Sequence, residues 1–151
     1  MRPPAGGSAG FSLVEMLVVL VVLGLAAAIG LPAIGSILPA RALAALGDAI
    51  GDELNRLRAE ALRTGSPARL VFEAEGRRFV SSRAGAQPIA AGDVAVVLDR
   101  PPGARSEPGE IRFLPGGGST GGRIAIANAS GSRAITVVRA TGAVRSSEAP
   151  P

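Results

Sequence analysis

The chain contains no cysteine and no histidine. The first absence removes disulfide frameworks, and the second removes every serine–histidine or cysteine–histidine nucleophilic pair. Together they remove Cys/His zinc sites. Without thiols, cysteine usage says nothing about redox compartment. Lysine is absent as well, so all 16 basic side chains are arginine. Alongside abundant alanine, glycine and proline, this reads as the codon bias of a GC-rich genome rather than selection for guanidinium chemistry. The net charge is only +4, with 12 acids interleaved among the arginines. A nucleic-acid surface needs arginines clustered on one face, and along the chain they are spread out. The 151 residues suffice for one domain plus an anchor.

The most informative stretch is residues 11–31, FSLVEMLVVLVVLGLAAAIGL, which is apolar except for one ionisable residue, Glu15. At about 1.5 Å per helical residue it spans roughly 30 Å, the thickness of a bilayer's hydrocarbon core. A Gly/Pro/Ser leader with a single charge, Arg2, precedes it, and Pro32 and Pro39 follow. A secretory signal peptide has a shorter apolar core and a small-residue cleavage site. Ala26, Ala27 and Ala28 offer such a site, but the apolar run extends past it. An ordinary single-pass anchor explains the length and leaves the carboxylate unexplained. An acid in a membrane helix costs about 2.5–3.5 kcal/mol at the bilayer centre and less near the surface, so it marks a functional position with a partner to be found.

The string Gly10-Phe11-Ser12-Leu13-Val14-Glu15 resembles the type III signal of type IV pilins and type II secretion pseudopilins. That resemblance implies cleavage by a prepilin peptidase after Gly10 on the cytoplasmic side, with the apolar segment retained. It also implies N-methylation of Phe11 and matching of Glu15 to the charged N-terminus of a neighbouring subunit during assembly. The physical logic agrees, because two buried opposite charges offset each other's desolvation only when closely paired. Glu15 then acts as a register device between subunits. A bond from Glu15 to the Phe11 amine within one subunit is an alternative that can coexist with it.

From residue 40 to 64 the apolar residues Leu43, Leu46, Ile50, Leu54, Leu57 and Ala61 recur at spacings of three and four, one stripe of an amphipathic helix. Gly65-Ser66-Pro67 stops it. The anchor and this stripe predict a long helix of roughly 80 Å if straight. Pro32 is expected to kink it, and Pro39 either kinks it again or separates anchor from head helix. The stripe is expected to form core; a coiled-coil seam is the lesser reading, because the pattern runs barely three turns.

After Pro67 the pattern changes to short β-prone runs at 68–73, 77–82, 94–99, 110–114, 123–128, 133–139 and 143–145. Glu75-Gly76 reads as a hairpin turn. The expected fold class is α+β, with a long N-terminal transmembrane-then-amphipathic helix and an antiparallel β-rich head laid on the stripe. The expected organisation is a cleaved leader at 1–10, an anchor at 11–35, a head helix at 36–66, a β-rich head at 67–146 and a disordered tail at 147–151. Residues 58–63 followed by Pro67 and Leu70-Val71-Phe72 are similar to the helix-to-strand junction of H-type minor pseudopilins and FimT-like minor pilins. So are Phe113-x-Pro115-Gly116, Gly122-x-Ile124, Arg133-x-Ile135-x-Val137 and Gly142-x-Val144. The resemblance implies a head of two small sheets.

Several motif matches carry no chemistry. Gly116-x-Gly118-x-x-Gly121 matches a dinucleotide fingerprint but lacks the following helix, and is expected to be a flexible hairpin loop. Residues 117–121 and 6–10 spell a nucleophile elbow without a histidine base. Asn128-Ala129-Ser130 fits a glycosylation acceptor that only some hosts read. Glu73 and Glu75 are expected to be solvated strand ends.

The resemblance thus implies a structural subunit with no catalytic residue, cofactor, metal or small-molecule substrate. Its implied partners are other pseudopilins or pilins, the prepilin peptidase and the bacterial inner membrane, with the head in the periplasm. The alternative is a FimT-like minor pilin that contacts DNA. Those implicated in DNA uptake carry a G-R-x-R-type element; here Gly142-Ala143-Val144-Arg145 lacks the first arginine. Arg133, Arg139 and Arg145 are the candidates for a phosphate-contacting strip, whose binding would weaken steeply with salt.

Overall fold

The stripe of six apolar residues on the second half of the helix is buried along its whole length, with Ile50, Leu54, Leu57 and Ala61 fully excluded from solvent. In the computed structural model, which describes residues 12–101 and 107–149 and the side chains of these except 27–37 and 149, that helix is α1 (Leu13–Thr64). The chain divides into two units, Met1–Ile37 and Leu38–Pro151. Pro32 and Pro39 both lie within the bounds of α1, so Pro39 does not end one helix and begin another. A proline costs one backbone bond and a local clash, and the Ala- and Ile-rich sequence around Pro39 sustains the helix. The Asn128 side-chain amide also donates to the Pro39 carbonyl at 2.8 Å.

Eight strands follow: β1 (Ala68–Glu73), β2 (Arg78–Ser81), β3 (Ile89–Ala90), β4 (Ala95–Asp99), β5 (Glu110–Phe113), β6 (Gly122–Asn128), β7 (Gly131–Val137) and β8 (Val144–Ala149). They form two antiparallel four-stranded sheets, ordered β3-β2-β1-β5 and β4-β6-β7-β8. Alternation decides which side chains turn inward. Leu70, Phe79, Ile111 and Phe113 come from the first sheet, and Ile124, Ile126, Ile135 and Val137 from the second. All eight join one buried cluster with the α1 stripe. Thus one helix supplies the apolar face that both sheets need.

Residues 114–121 turn back on the end of β5 as the expected hairpin: Phe113 and Ser119 form an isolated antiparallel bridge and Leu114 N–H donates to the Gly118 carbonyl at 2.9 Å, before the chain passes into β6 of the other sheet. The segment is an ordered crossover: Ser119 N–H donates to the Arg139 carbonyl at 2.8 Å and Thr120 N–H to the Arg112 carbonyl at 2.8 Å. One expectation is corrected: the 147–151 tail expected to be disordered begins in a strand. Ser147 and Glu148 pair in register with Ala134 and Arg133 on β7. Its polar composition hides this, since β7 has an otherwise unpaired edge and the backbone, not the side chains, makes the match.

The turn between β1 and β2 falls where Glu75-Gly76 predicts it, but the left-handed residue is Arg77, at φ 45°. Its guanidinium compensates the strain by donating to the carbonyls of Gly92 and Val94, at 2.9 and 3.0 Å. This ties the first hairpin to the connection leading into β4.

Candidate assembly site

Ser12 opens α1, its carbonyl accepting from Met16 N–H at 3.1 Å. Glu15 lies in the first turn, where the helix dipole favours a carboxylate. Around and beyond it, Leu13, Val14, Leu17, Leu20 and Leu23 are all more than half exposed, Leu13 at 82%. With Met16, Val18, Val19, Val21 and Val22, all at least 46% exposed, these positions cover every side of the helix rather than one stripe. A cylinder apolar all round does not hold its place in water and needs lipid or other apolar helices against it. Among the described residues, no helix is long and apolar enough to cross a membrane. The expected 11–35 anchor reaches beyond them: Gly10 and Phe11 lie outside the described residues, as do the side chains of 27–37.

In the head, the charged groups at the helix–sheet junctions serve as clamps. Arg83 donates from Nε and Nη2 to the two carboxylate oxygens of Glu53 on α1, at 3.1 and 3.0 Å. Burial alone would push the Glu53 carboxyl up. The bonds from Arg83 and the Ser81 hydroxyl, with the charges of Arg83 and Arg56, hold it below the ordinary range. The same bond raises Arg83 further above its ordinary value. On β5, the buried Glu110 carboxylate is neutralised by Arg112, whose guanidinium is held more firmly protonated in return.

The expected basic strip is not formed. Arg133 shares its strand parity with the buried Ile135 and Val137 and turns toward α1. There its Nη1 donates to the Ala44 carbonyl at 3.1 Å and to Asp48 at 3.0 Å. Arg145 is paired in register with Thr136 on the opposite face of that sheet, and Arg139 is exposed in the turn beyond β7. The parity of Arg133 with Ile135 and Val137 was the sequence signal for this. The amphipathic pattern of the helix predicts Glu53 on the solvent side, whereas it is buried against Arg83. Arg83 and Arg77 are not singled out by the sequence, because their partners lie far along the chain and leave no local pattern.

Among the described residues, no group of three or more acidic or metal-ligating side chains could hold a metal ion. Ser119, inside the rejected elbow motif, is buried and donates from Oγ to the Val138 carbonyl. Asn128 is likewise engaged through both ends of its amide, since its Oδ1 accepts from Ser130 N–H at 2.9 Å.

Known proteins bear on the helix and the head separately. Residues 6–31 match the prokaryotic N-terminal methylation motif, and residues 48–142 match the model of type II transport protein GspH. Type II secretion system protein H of Xanthomonas campestris is 33% identical over 139 residues, covering 91% of this chain and 82% of that protein. In fold, the chain is similar to the minor pseudopilin EpsH of the type 2 secretion system of Vibrio cholerae. That likeness has a TM-score of 0.54 at 14% identity and covers 70% of this chain and 96% of the other. The type IV minor pilin FimU of Pseudomonas aeruginosa has the same fold at TM-score 0.53 and 13% identity, with 70% and 92% covered. A methylation motif at the start of an all-round apolar helix, continued by a head that fits one family model over most of its length, leads to one assignment: the chain belongs to the GspH family of type II transport proteins.

Proposed function

We propose that this protein is a non-catalytic minor pseudopilin, incorporated through its N-terminal helix into the short periplasmic fibre of a type II secretion system, where it supports export of folded proteins across the outer membrane. The observation that carries the reading is the all-round apolar start of α1, broken only by Glu15, in a chain of this family. In this reading the chain is cut after Gly10 and methylated at Phe11. It waits as a single-pass protein of the inner membrane with its head in the periplasm. It then moves from lipid into a bundle of other subunits' helices, where the apolar cylinder stays covered and the Glu15 carboxylate pairs with a neighbour's N-terminal ammonium. Intact-mass measurement and N-terminal sequencing of the membrane-extracted chain, co-expressed with its prepilin peptidase, test the first step. A mature chain beginning at methylated Phe11 supports the reading. A chain that retains Met1, or that begins after Ala28, overturns it.

A further inference from the structure

The outer face of the second sheet carries a row fixed by strand register: Asp99 on β4, Arg123 on β6, Thr136 on β7 and Arg145 on β8. Arg139, in the turn after β7, joins Arg123, Thr136 and Asp99 around an open hollow of about 350 Å³. Six ion pairs form among the described residues, and none of them uses Arg123, Arg139 or Arg145. The arginines that clamp the head are therefore different ones; these three are exposed, and Asp99 is the acid that lines the hollow with Arg123 and Arg139.

The group is held on rigid parts. Arg123 sits on a central strand and Arg145 on a strand paired with its neighbour at six positions. The Arg139 turn is pinned by Ser119, whose N–H donates to the Arg139 carbonyl and whose Oγ donates to the Val138 carbonyl. Gly121 allows this close approach, since a Cβ there would meet the Arg139 Cβ at 3.1 Å. Fixed positions reduce the ordering cost of binding.

We propose that this face binds an acidic, extended segment of a partner protein, its carboxylates engaging Arg123 and Arg145 with Thr136 between them. Adjacent strands lie about 4.8 Å apart, so the two arginines, two strands apart, are separated by roughly 10 Å at their Cα atoms. A segment in the extended polyproline-II form, with three residues per turn at about 3.1 Å each, repeats the same face about every 9 Å, which matches acids at every third position of a segment crossing the strands. Each guanidinium can take a carboxylate in a bidentate fork. Nucleic acid fits this face less well. The chain has no Trp or Tyr, Phe79 and Phe113 are buried and Phe72 packs against the core from the first sheet, so among the described residues this face carries no aromatic stacking platform. Two or three phosphate contacts alone give weak binding.

The test uses the full chain in detergent micelles at low salt and a fluorescent twelve-residue peptide with Glu at every third position and Ser and Gly between. Anisotropy is read alongside single-stranded and duplex DNA of similar length. The expected result is saturable peptide binding that weakens about tenfold or more in Arg123→Glu/Arg145→Glu and falls with salt. Arg69→Glu, on the exposed face of the first sheet, should leave it within about twofold. If the reversal prevents folding, Arg123→Gln/Arg145→Gln reads the same loss. No peptide binding, equal loss in Arg69→Glu, no loss in the row variants, or DNA binding as tight as the peptide's would each overturn the proposal.

Discussion

Glu53 and Arg83 lie 30 residues apart in sequence and meet in a two-bond ion pair that fastens the end of the first hairpin to the C-terminal part of α1. Glu53 is 5% exposed, so its carboxylate depends on that guanidinium for compensation. Its folded-state pKa is lowered. The contribution to stability is therefore fully present above the ordinary carboxylate range, about 4.3, and is lost as pH falls through the lower folded value. Thermal melts from pH 7 to pH 3 should show Tm falling in the native chain. In Glu53→Gln, Tm should start lower, by the equivalent of about 1–3 kcal/mol, and depend less on pH across that window. An unchanged slope would remove this pair from the account of acid stability.

Gly142 adopts a left-handed φ of 62°, and a Cβ there would meet the Gly117 carbonyl oxygen at 2.7 Å. That oxygen belongs to the backbone and cannot swing aside. Gly142→Ala should cost on the order of 2–4 kcal/mol in urea unfolding, combining backbone strain with displacement of the crossover loop. Gly85→Ala makes the contrast: its φ is 75° with open space around it, so only the conformational term of about 1 kcal/mol applies. Equal costs would mean that the Gly142–Gly117 approach is not tight.

Removal of residues 146–151 tests the strand that replaces the expected tail. Ser146, Ser147, Glu148 and Ala149 pair with Ile135, Ala134, Arg133 and Ser132. Their loss strips backbone bonds from β7 and should lower unfolding free energy by roughly 2 kcal/mol, at about 0.5–1.5 kcal/mol per bond. A truncated chain as stable as the full one would return these residues to a tail.

Glu15→Val removes the single ionisable group from the apolar start of α1, and Glu15 is not a member of the buried cluster of the head. Urea unfolding of the head should be unchanged within about 0.5 kcal/mol. Recovery of the protein in sheared fibre fractions should fall to background. Normal recovery would show that the carboxylate is not what matches one subunit to the next.

Much of the head was legible because burial in regular structure repeats locally. The spacing of Leu43, Leu46, Ile50, Leu54, Leu57 and Ala61 placed the core side of α1, and alternation in Ile111/Phe113, Ile124/Ile126 and Ile135/Val137 placed the inner faces of three strands. Ile89–Ala90 escaped because two residues are too short to alternate. The β8 extension escaped because Ser146, Ser147 and Glu148 show no apolar rhythm. At the candidate assembly site, the string from Gly10 to Glu15 was readable because it is contiguous, and it lies within the methylation-motif match over residues 6–31.

By itself, the sequence determined the family, the long helix, its buried stripe and the α+β class, all of which rest on contiguous motifs or on periods of a few residues. The division of the head into two sheets was implied by the family resemblance alone. Tertiary structure alone decided which strands share a sheet and which arginines are spent on clamps. Arg133 reaches Ala44 across 89 residues and Arg83 reaches Glu53 across 30, while strand register sets Arg123 and Arg145 in one outward row. The reason is physical: a side chain's periodicity states which way it turns, but its partner is set by pairing between segments whose separation along the chain carries no local signal.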